Sequence, residues 1–137
     1  MDRLNSIEDL KRLREKLSSE IFQPDKNRIR ACCGTACTAT GAYKVIGAIE
    51  DDAKKRGVEI EIVKTGCQGM CQKGPVMKTE PSDIFYQRVK PEQASSLVGN
   101  TFLGGMPFRQ ALYRESILEA PTLEMIDLPF YKKQLRI

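Results

Sequence analysis

Apolar residues recur along this chain at two different periods, and the changes of period mark its elements. Ile7, Leu10, Leu13 and Leu17 fall on one face of a helix, behind a capping box at Ser6-Ile7-Glu8-Asp9. A first helix over 7–20 follows, stopped by Pro24 and Asp25. Residues 27–32 place Ile29 and Ala31 on one side and read as a short strand. After the small-residue stretch 34–41, Ala42, Val45, Ile46, Ile49 and Ala53 return at helical spacing. This second helix ends near Arg56, with Gly57 as its stop signal. Val58, Ile60 and Ile62 then alternate with Glu59 and Glu61, the pattern of a half-buried strand. Two further strands, 76–79 and 84–89, flank the turn Glu80-Pro81-Ser82-Asp83. Pro91 opens a last helix in which Ala94, Leu97, Val98 and Phe102 share a face.

The order is one helix followed by β-α-β-β-β-α. Two strands joined by a helix run parallel, and the two after them form an antiparallel hairpin. The fold class expected is therefore α/β: a small mixed sheet with helices packed on it, the thioredoxin-like plan. Three regions follow: an N-terminal helix and linker (1–26), the sheet domain (27–103) and an irregular extension (104–137). The extension carries Pro121 and Pro129, lacks a long periodic segment, and has room for one short helix at 108–114. It either wraps the domain or leads elsewhere.

Composition narrows the function. With 137 residues, 41% of them apolar and 29% charged, the chain fits one globular domain. No apolar run approaches the roughly 20 residues that cross a bilayer, and the charged N-terminus is no secretory signal. Both point to the cytoplasm and away from membrane insertion. There is no histidine, which excludes Ser-His-Asp and Cys-His catalysis, Cys/His zinc fingers and Rieske centres. The net charge of +4 comes from 22 basic and 18 acidic residues that are interleaved, so nucleic-acid binding is not expected.

The chemistry lies in the five cysteines. An odd number without a secretion signal argues against a disulfide framework. They form two tight groups, each where a strand gives way to a loop. The first offers either Cys32-x4-Cys37 or Cys33-x3-Cys37; the second is Cys67-x3-Cys71. Four thiolates meeting there hold either one tetrahedral zinc or a [2Fe–2S] cluster. Zinc sites usually use C-x2-C turns, whereas the x4 and x3 spacings favour loops spread around a larger object. Gly34, Gly41, Gly66, Gly69 and Gly74 would let backbone N–H groups approach the sulfurs. Neither group contains C-x-x-C, which disfavours a thioredoxin-type dithiol. The plain alternative is that these are small buried residues with no cofactor.

These residues resemble the thioredoxin-like [2Fe–2S] ferredoxins, a family that includes the small cluster-bearing subunit of respiratory NADH dehydrogenase. Cys32-Cys33-Gly34-Thr35-Ala36-Cys37 and Thr65-Gly66-Cys67-Gln68-Gly69-Met70-Cys71 match its two motifs. The resemblance implies Cys32, Cys37, Cys67 and Cys71 as iron ligands, leaves Cys33 a non-ligand, and implies no catalytic residue. Lys73-Gly74-Pro75, Ile84-Phe85-Tyr86 and Pro129-Phe130-Tyr131-Lys132-Lys133-Gln134 are similar to segments of the ferredoxin domain that precedes the flavoprotein core of NAD-linked hydrogenases. The function implied is one-electron transfer inside an NADH-linked oxidoreductase complex. The chain itself would be a carrier, with no FMN or NAD site. Its partners would be the flavoprotein core and other iron–sulfur subunits, or a second copy in a homodimer. A zinc-stabilised interaction module and a stand-alone dimeric ferredoxin are the rival readings.

Other residues carry weaker expectations. Lys73 is either a counter-charge for the cluster or an ordinary exposed lysine, and Met70 either shields the site or packs. The N-terminal leucine stripe is for packing, on the domain or on a partner subunit. Lys54-Lys55-Arg56 reads as a solvated helix end.

Overall fold

A computed structural model describes residues 3–21, 25–116 and 120–134. Its elements are α1 (Ile7–Ile21), β1 (Arg28–Cys32), α2 (Thr35–Ala39), α3 (Ala42–Arg56), β2 (Glu61–Thr65), β3 (Met77–Glu80), β4 (Phe85–Tyr86), α4 (Ala94–Val98) and α5 (Pro129–Lys132). The stop assigned to Pro24 lies outside the described residues.

The strands form one mixed sheet in the order β2-β1-β3-β4, with β1 parallel to β2 and antiparallel to β3, and β3 antiparallel to β4. This is the thioredoxin-like arrangement that the element order predicts. Alternation along β1 divides the molecule. Ile29 and Ala31 point into a core cluster with Val45, Ile46 and Ile49 of α3 and Leu97 and Val98 of α4. Cys32 belongs to a second cluster with Cys37, Val76, Phe85, Tyr113, Leu128 and Tyr131. Helices thus cover one face of the sheet, and residues from the extension cover the other. Full burial of each large side chain contributes about 1.5–3 kcal/mol, so both faces stabilise the fold.

Helix α3 matches its predicted span. It ends on Gly57 in the left-handed region (φ 66°), with the Gly57 and Val58 amides donating to the Lys54 and Ala53 carbonyls. That reversal uses Val58, so β2 begins at Glu61, three residues later than the alternation predicts. Register with β1 then pairs Arg28 with Glu61 and Cys32 with Thr65. The predicted strand 84–89 shrinks to Phe85–Tyr86. Beyond it the chain serves other partners: the Gln87 amide donates to Ala111, Arg88 to Lys73, and Val89 to Pro75. The small-residue stretch after Cys33 coils into α2, and the helix opened by Pro91 runs on through a wider turn to Leu103.

The extension wraps the domain. Bridges join Tyr86 to Leu112, Ile84 to Glu124 and Tyr113 to Thr122. Instead of a helix at 108–114 there is a single tight turn, Arg109–Ala111, and α5 follows Leu128. Residues of α1 contrast with this: Ile7, Leu10 and Leu17 are exposed, so the stripe does not pack on the domain as one reading expected. The Lys54–Arg56 end is solvated as expected, all three residues being exposed, and Arg56 also pairs with Asp52 at 2.6 Å and bonds to Ser95. Among the described residues no helix is long and apolar enough to cross a membrane.

Candidate metal centre

Strand alternation decides which of the adjacent cysteines faces the site. Cys32 follows Arg28 and Arg30 on one side of β1, whereas Cys33 follows Ile29 and Ala31 and packs against the helix-side core. The Cys32 amide donates to Val76 at 3.1 Å and the Cys33 amide to Thr65 at 2.9 Å, holding the end of β1 between its neighbours. The chain then turns into α2, tightened by bonds from Thr38 Oγ1 to the Cys33 carbonyl and from Thr40 Oγ1 to the Ala36 carbonyl. One turn of helix brings Cys37 back beside Cys32, both 2% exposed. Burial, followed by the nearby Cys32 thiol, pushes the Cys37 thiol up to about 11, with the Val76 backbone pulling the other way.

The second loop is open. Cys67 and Cys71 are exposed, with their sulfurs 3.5 Å apart. Gly69 takes the left-handed conformation (φ 83°), and this turns its amide onto Cys67 Sγ at 3.3 Å. That amide, with help from Cys71, holds the Cys67 thiol below its usual range, while Cys67 pushes Cys71 up.

Each loop reserves a glycine for the other loop's cysteine. A Cβ on Gly34 would stand 3.1 Å from Cys67 Cβ, and one on Gly74 would stand 2.8 Å from Cys37 Sγ. The two pairs therefore meet at one end of the sheet, closer than any side chain at those glycines would permit. The extension then grips the second loop. Tyr131 donates its hydroxyl to the Gln68 carbonyl, Tyr113 reaches Met70 Sδ at 3.7 Å, and Phe130 lies against Gly69. Lys73 donates to the Arg114 and Glu115 carbonyls, both at 2.8 Å. Lys73 is thus a tie to the extension rather than a free counter-charge, and Met70 is half-buried packing.

The model of one family, the thioredoxin-like [2Fe–2S] ferredoxins, matches residues 21–101, more than half of the chain. The chain belongs to that family. This ferredoxin is 39% identical over 46 residues to the 2Fe-2S ferredoxin of Aquifex aeolicus (strain VF5), covering 34% of the chain and 41% of the relative. It is 25% identical over 91 residues to a putative 2Fe-2S ferredoxin of Priestia megaterium, covering 66% and 72%. Two solved structures of the thioredoxin-like ferredoxin from Aquifex aeolicus share its fold, each with a TM-score of 0.57. They are 24% and 23% identical and cover 63% of this chain and 88% and 94% of theirs.

Membership implies a [2Fe–2S] cluster and the role of electron carrier, and the thiols present fit that group. Two sulfurs on one tetrahedral metal with bonds of about 2.3 Å stand about 3.8 Å apart, close to the 3.5 Å between Cys67 and Cys71. The donors come as two pairs, one from each loop, which supplies two thiolates for each of two irons. The Gly69 amide already donates to the Cys67 sulfur. Sequence reasoning singled out the four cysteines that the structure brings to this end of the sheet, and Gly34 and Gly74 among five glycines, but missed Tyr113, Phe130 and Tyr131 as their neighbours. Their only signal was three aromatic residues in an aperiodic segment.

Proposed function

We propose that this ferredoxin carries one electron at a time on a [2Fe–2S] cluster held by Cys32 and Cys37 on one iron and Cys67 and Cys71 on the other. The observation that carries the reading is the reciprocal packing of Gly34 on Cys67 and Gly74 on Cys37, which brings the two thiol pairs together. The cluster supplies an acceptor that gains and loses a single electron without making bonds. The chain's residues do the rest. Burial of Cys32 and Cys37 excludes water from one side, and the exposed Cys67 and Cys71 leave the other open to a redox partner. The Gly69 amide aims partial positive charge at the Cys67 sulfur, which favours the more negative reduced form.

The broader setting is an NADH-linked flavoprotein complex of the hydrogenase or NADH dehydrogenase type, in the cytoplasm. Support comes from the segment 129–134 of the extension, which lies beyond the family match and packs onto the cysteine loop. The relatives in Aquifex aeolicus and Priestia megaterium are themselves named as ferredoxins, which favours a carrier that works on its own. Isolation of the native protein with a flavin assay separates the two: FMN in a stable complex supports the first, and a flavin-free carrier the second.

The test of the cluster is absorption and low-temperature EPR spectra before and after dithionite, with iron and zinc assayed on the same anaerobic sample. About two irons per chain and an S = 1/2 signal only after reduction are expected. A colourless protein with about one zinc, in which reconstitution fails, moves the assignment to a structural module.

A further inference from the structure

Cys67 of the second loop receives a hydrogen bond from the loop's own backbone, and the peptide that makes it is reached by the extension. Gly69 N–H donates to Cys67 Sγ at 3.3 Å. The carbonyl of that same peptide unit belongs to Gln68, and it accepts the hydroxyl of Tyr131. A peptide group is conjugated across its C–N bond, so a donor on its oxygen withdraws electron density from its nitrogen. The N–H then becomes the stronger donor, as in any hydrogen-bonded chain of polarised groups. Tyr131 is well placed to do this persistently: it is 8% exposed, sits in the second core cluster with Leu128, and meets the Phe130 ring edge-on at 5.0 Å. Phe130 in turn lies 3.6 Å from where a Cβ on Gly69 would stand.

We infer that Tyr131 is a positioning residue for the redox centre, tuning the thiolate of Cys67 through the single Gln68–Gly69 peptide. The inference rests on the reading of Cys67 as a ligand. It assigns a function to residues that lie past position 101, where the family match ends. The extension is then a regulator of the centre's potential as well as a cover for the sheet. Its effect has a sign: the added polarisation favours the reduced cluster, so loss of the hydroxyl lowers the midpoint potential.

The decisive comparison is between Tyr131→Phe and Tyr113→Phe in the full chain. The first keeps the ring and its packing but removes the donor on the peptide. The second removes a hydroxyl that bonds Met70 and Glu115 and addresses no sulfur-bound peptide. With about 20% of one charge-assisted bond at stake, Tyr131→Phe should change the reduced-to-oxidised ratio at fixed potential about two- to threefold. That is a downward shift of about 18–28 mV for a one-electron couple at 59 mV per tenfold. Tyr113→Phe should move it by less than half as much. An unchanged potential in Tyr131→Phe, or an equal shift in both, overturns the relay while leaving a two-iron wild type, and hence the cluster, intact. A wild type without iron overturns both together. Should Tyr131→Phe lose its iron, Tyr113→Phe protein made with 3-fluorotyrosine, a stronger hydroxyl donor, decides: its potential should rise, and no rise removes the proposal.

Discussion

The two cysteine loops deliver the same two thiols each, yet they are built by different means. The first is made locally. Strand β1 places Cys32, alternation turns Cys33 away, and the five residues of α2 return Cys37 to the same spot. Both of its thiols are shut off from solvent, and Cys37 is driven up to about 11 by that burial. The second loop has only a short turn of helix at Cys71–Lys73 and one left-handed glycine of its own. It is held by residues more than 40 positions away, through Tyr113, Tyr131 and the Lys73 tie to 114–115. A ferredoxin must hold its cluster firmly and still expose it to a partner. Here the firm side and the open side are separate loops, one fixed by secondary structure and the other by tertiary contact.

The largest effect that can break this comparison is loss of a ligand. Cys37→Ser, from the buried side, and Cys67→Ser, from the open side, should each abolish the visible absorbance of the anaerobic protein. Cys33→Ser should keep it, because that thiol packs against the helix-side core. Colour retained in either of the first two, or lost in the third, would mean that the pairs are wrongly drawn. Next comes thiol reactivity in cluster-free protein that keeps its fold by circular dichroism. Cys67 is exposed and below its usual range, while Cys37 is buried with a pKa of about 11. At neutral pH, alkylation followed by peptide mapping should find Cys67 modified about 100-fold faster or more. Equal rates would erase the distinction between the loops.

Smaller, and sharper, are the two glycines. Gly74 has ordinary extended angles (φ −68°, ψ 157°), so alanine there meets no backbone strain, only the Cys37 sulfur at 2.8 Å. On the buried side nothing can move aside cheaply, and Gly74→Ala should cost about 1–3 kcal/mol and lower iron occupancy. Gly34→Ala presses at 3.1 Å on Cys67, which sits in the open loop. That loop can yield, so thermal melting should show a smaller loss. The reverse order would place the rigid side at the second loop.

How much of this was legible beforehand follows the same division. The helix-side face of the sheet announces itself through Val45, Ile46 and Ile49, since period and burial there are set by nearest neighbours in the chain. The first cysteine loop was legible as a candidate ligand group, although the choice between Cys32 and Cys33 needed the family resemblance. Strand alternation supplies a physical reason for it, given that Cys33 shares its side with Ile29 and Ala31. The extension was opaque because its buried residues, Phe108, Leu112, Tyr113, Leu128 and Tyr131, follow no period. Phe108 is placed by its amide on the Tyr86 hydroxyl, Leu112 by a bridge to Tyr86, and Tyr113 and Tyr131 by bonds that reach Met70 and Gln68, all in distant segments. The same holds for β4, cut to two residues because Gln87, Arg88 and Val89 find partners outside the sheet.

The opposite end of β1 supplies the mildest test, and it isolates the loops by leaving them alone. Arg28, buried in the sheet, bonds Glu61 at 2.8 Å and Glu80 at 3.1 Å, and Arg30 holds Glu80 at 2.6 Å. The Arg28 hydrogen bond, aided by Lys26, holds Glu61 below the usual carboxylate range. For Glu80, burial works upward, but Arg30 and Arg28 together outweigh it and the net shift is also downward. A carboxylate with a depressed folded pKa binds fewer protons in the native state than in the unfolded one. Its stabilisation is therefore complete above the unfolded value of about 4.3 and is lost as pH falls through the lower folded value. Melting curves of wild type and Arg28→Met should thus stay a constant distance apart above about pH 5 and converge below about pH 4. The difference between the two curves is the informative quantity, because cluster loss in acid affects both proteins alike. At neutral pH the absorption and EPR spectra of Arg28→Met should match the wild type, since this ion-pair group and the thiols sit at opposite ends of one strand. A spectral change there would mean that the sheet transmits strain from its charged end to its cysteine end, and that the first loop is less independent than its local construction implies.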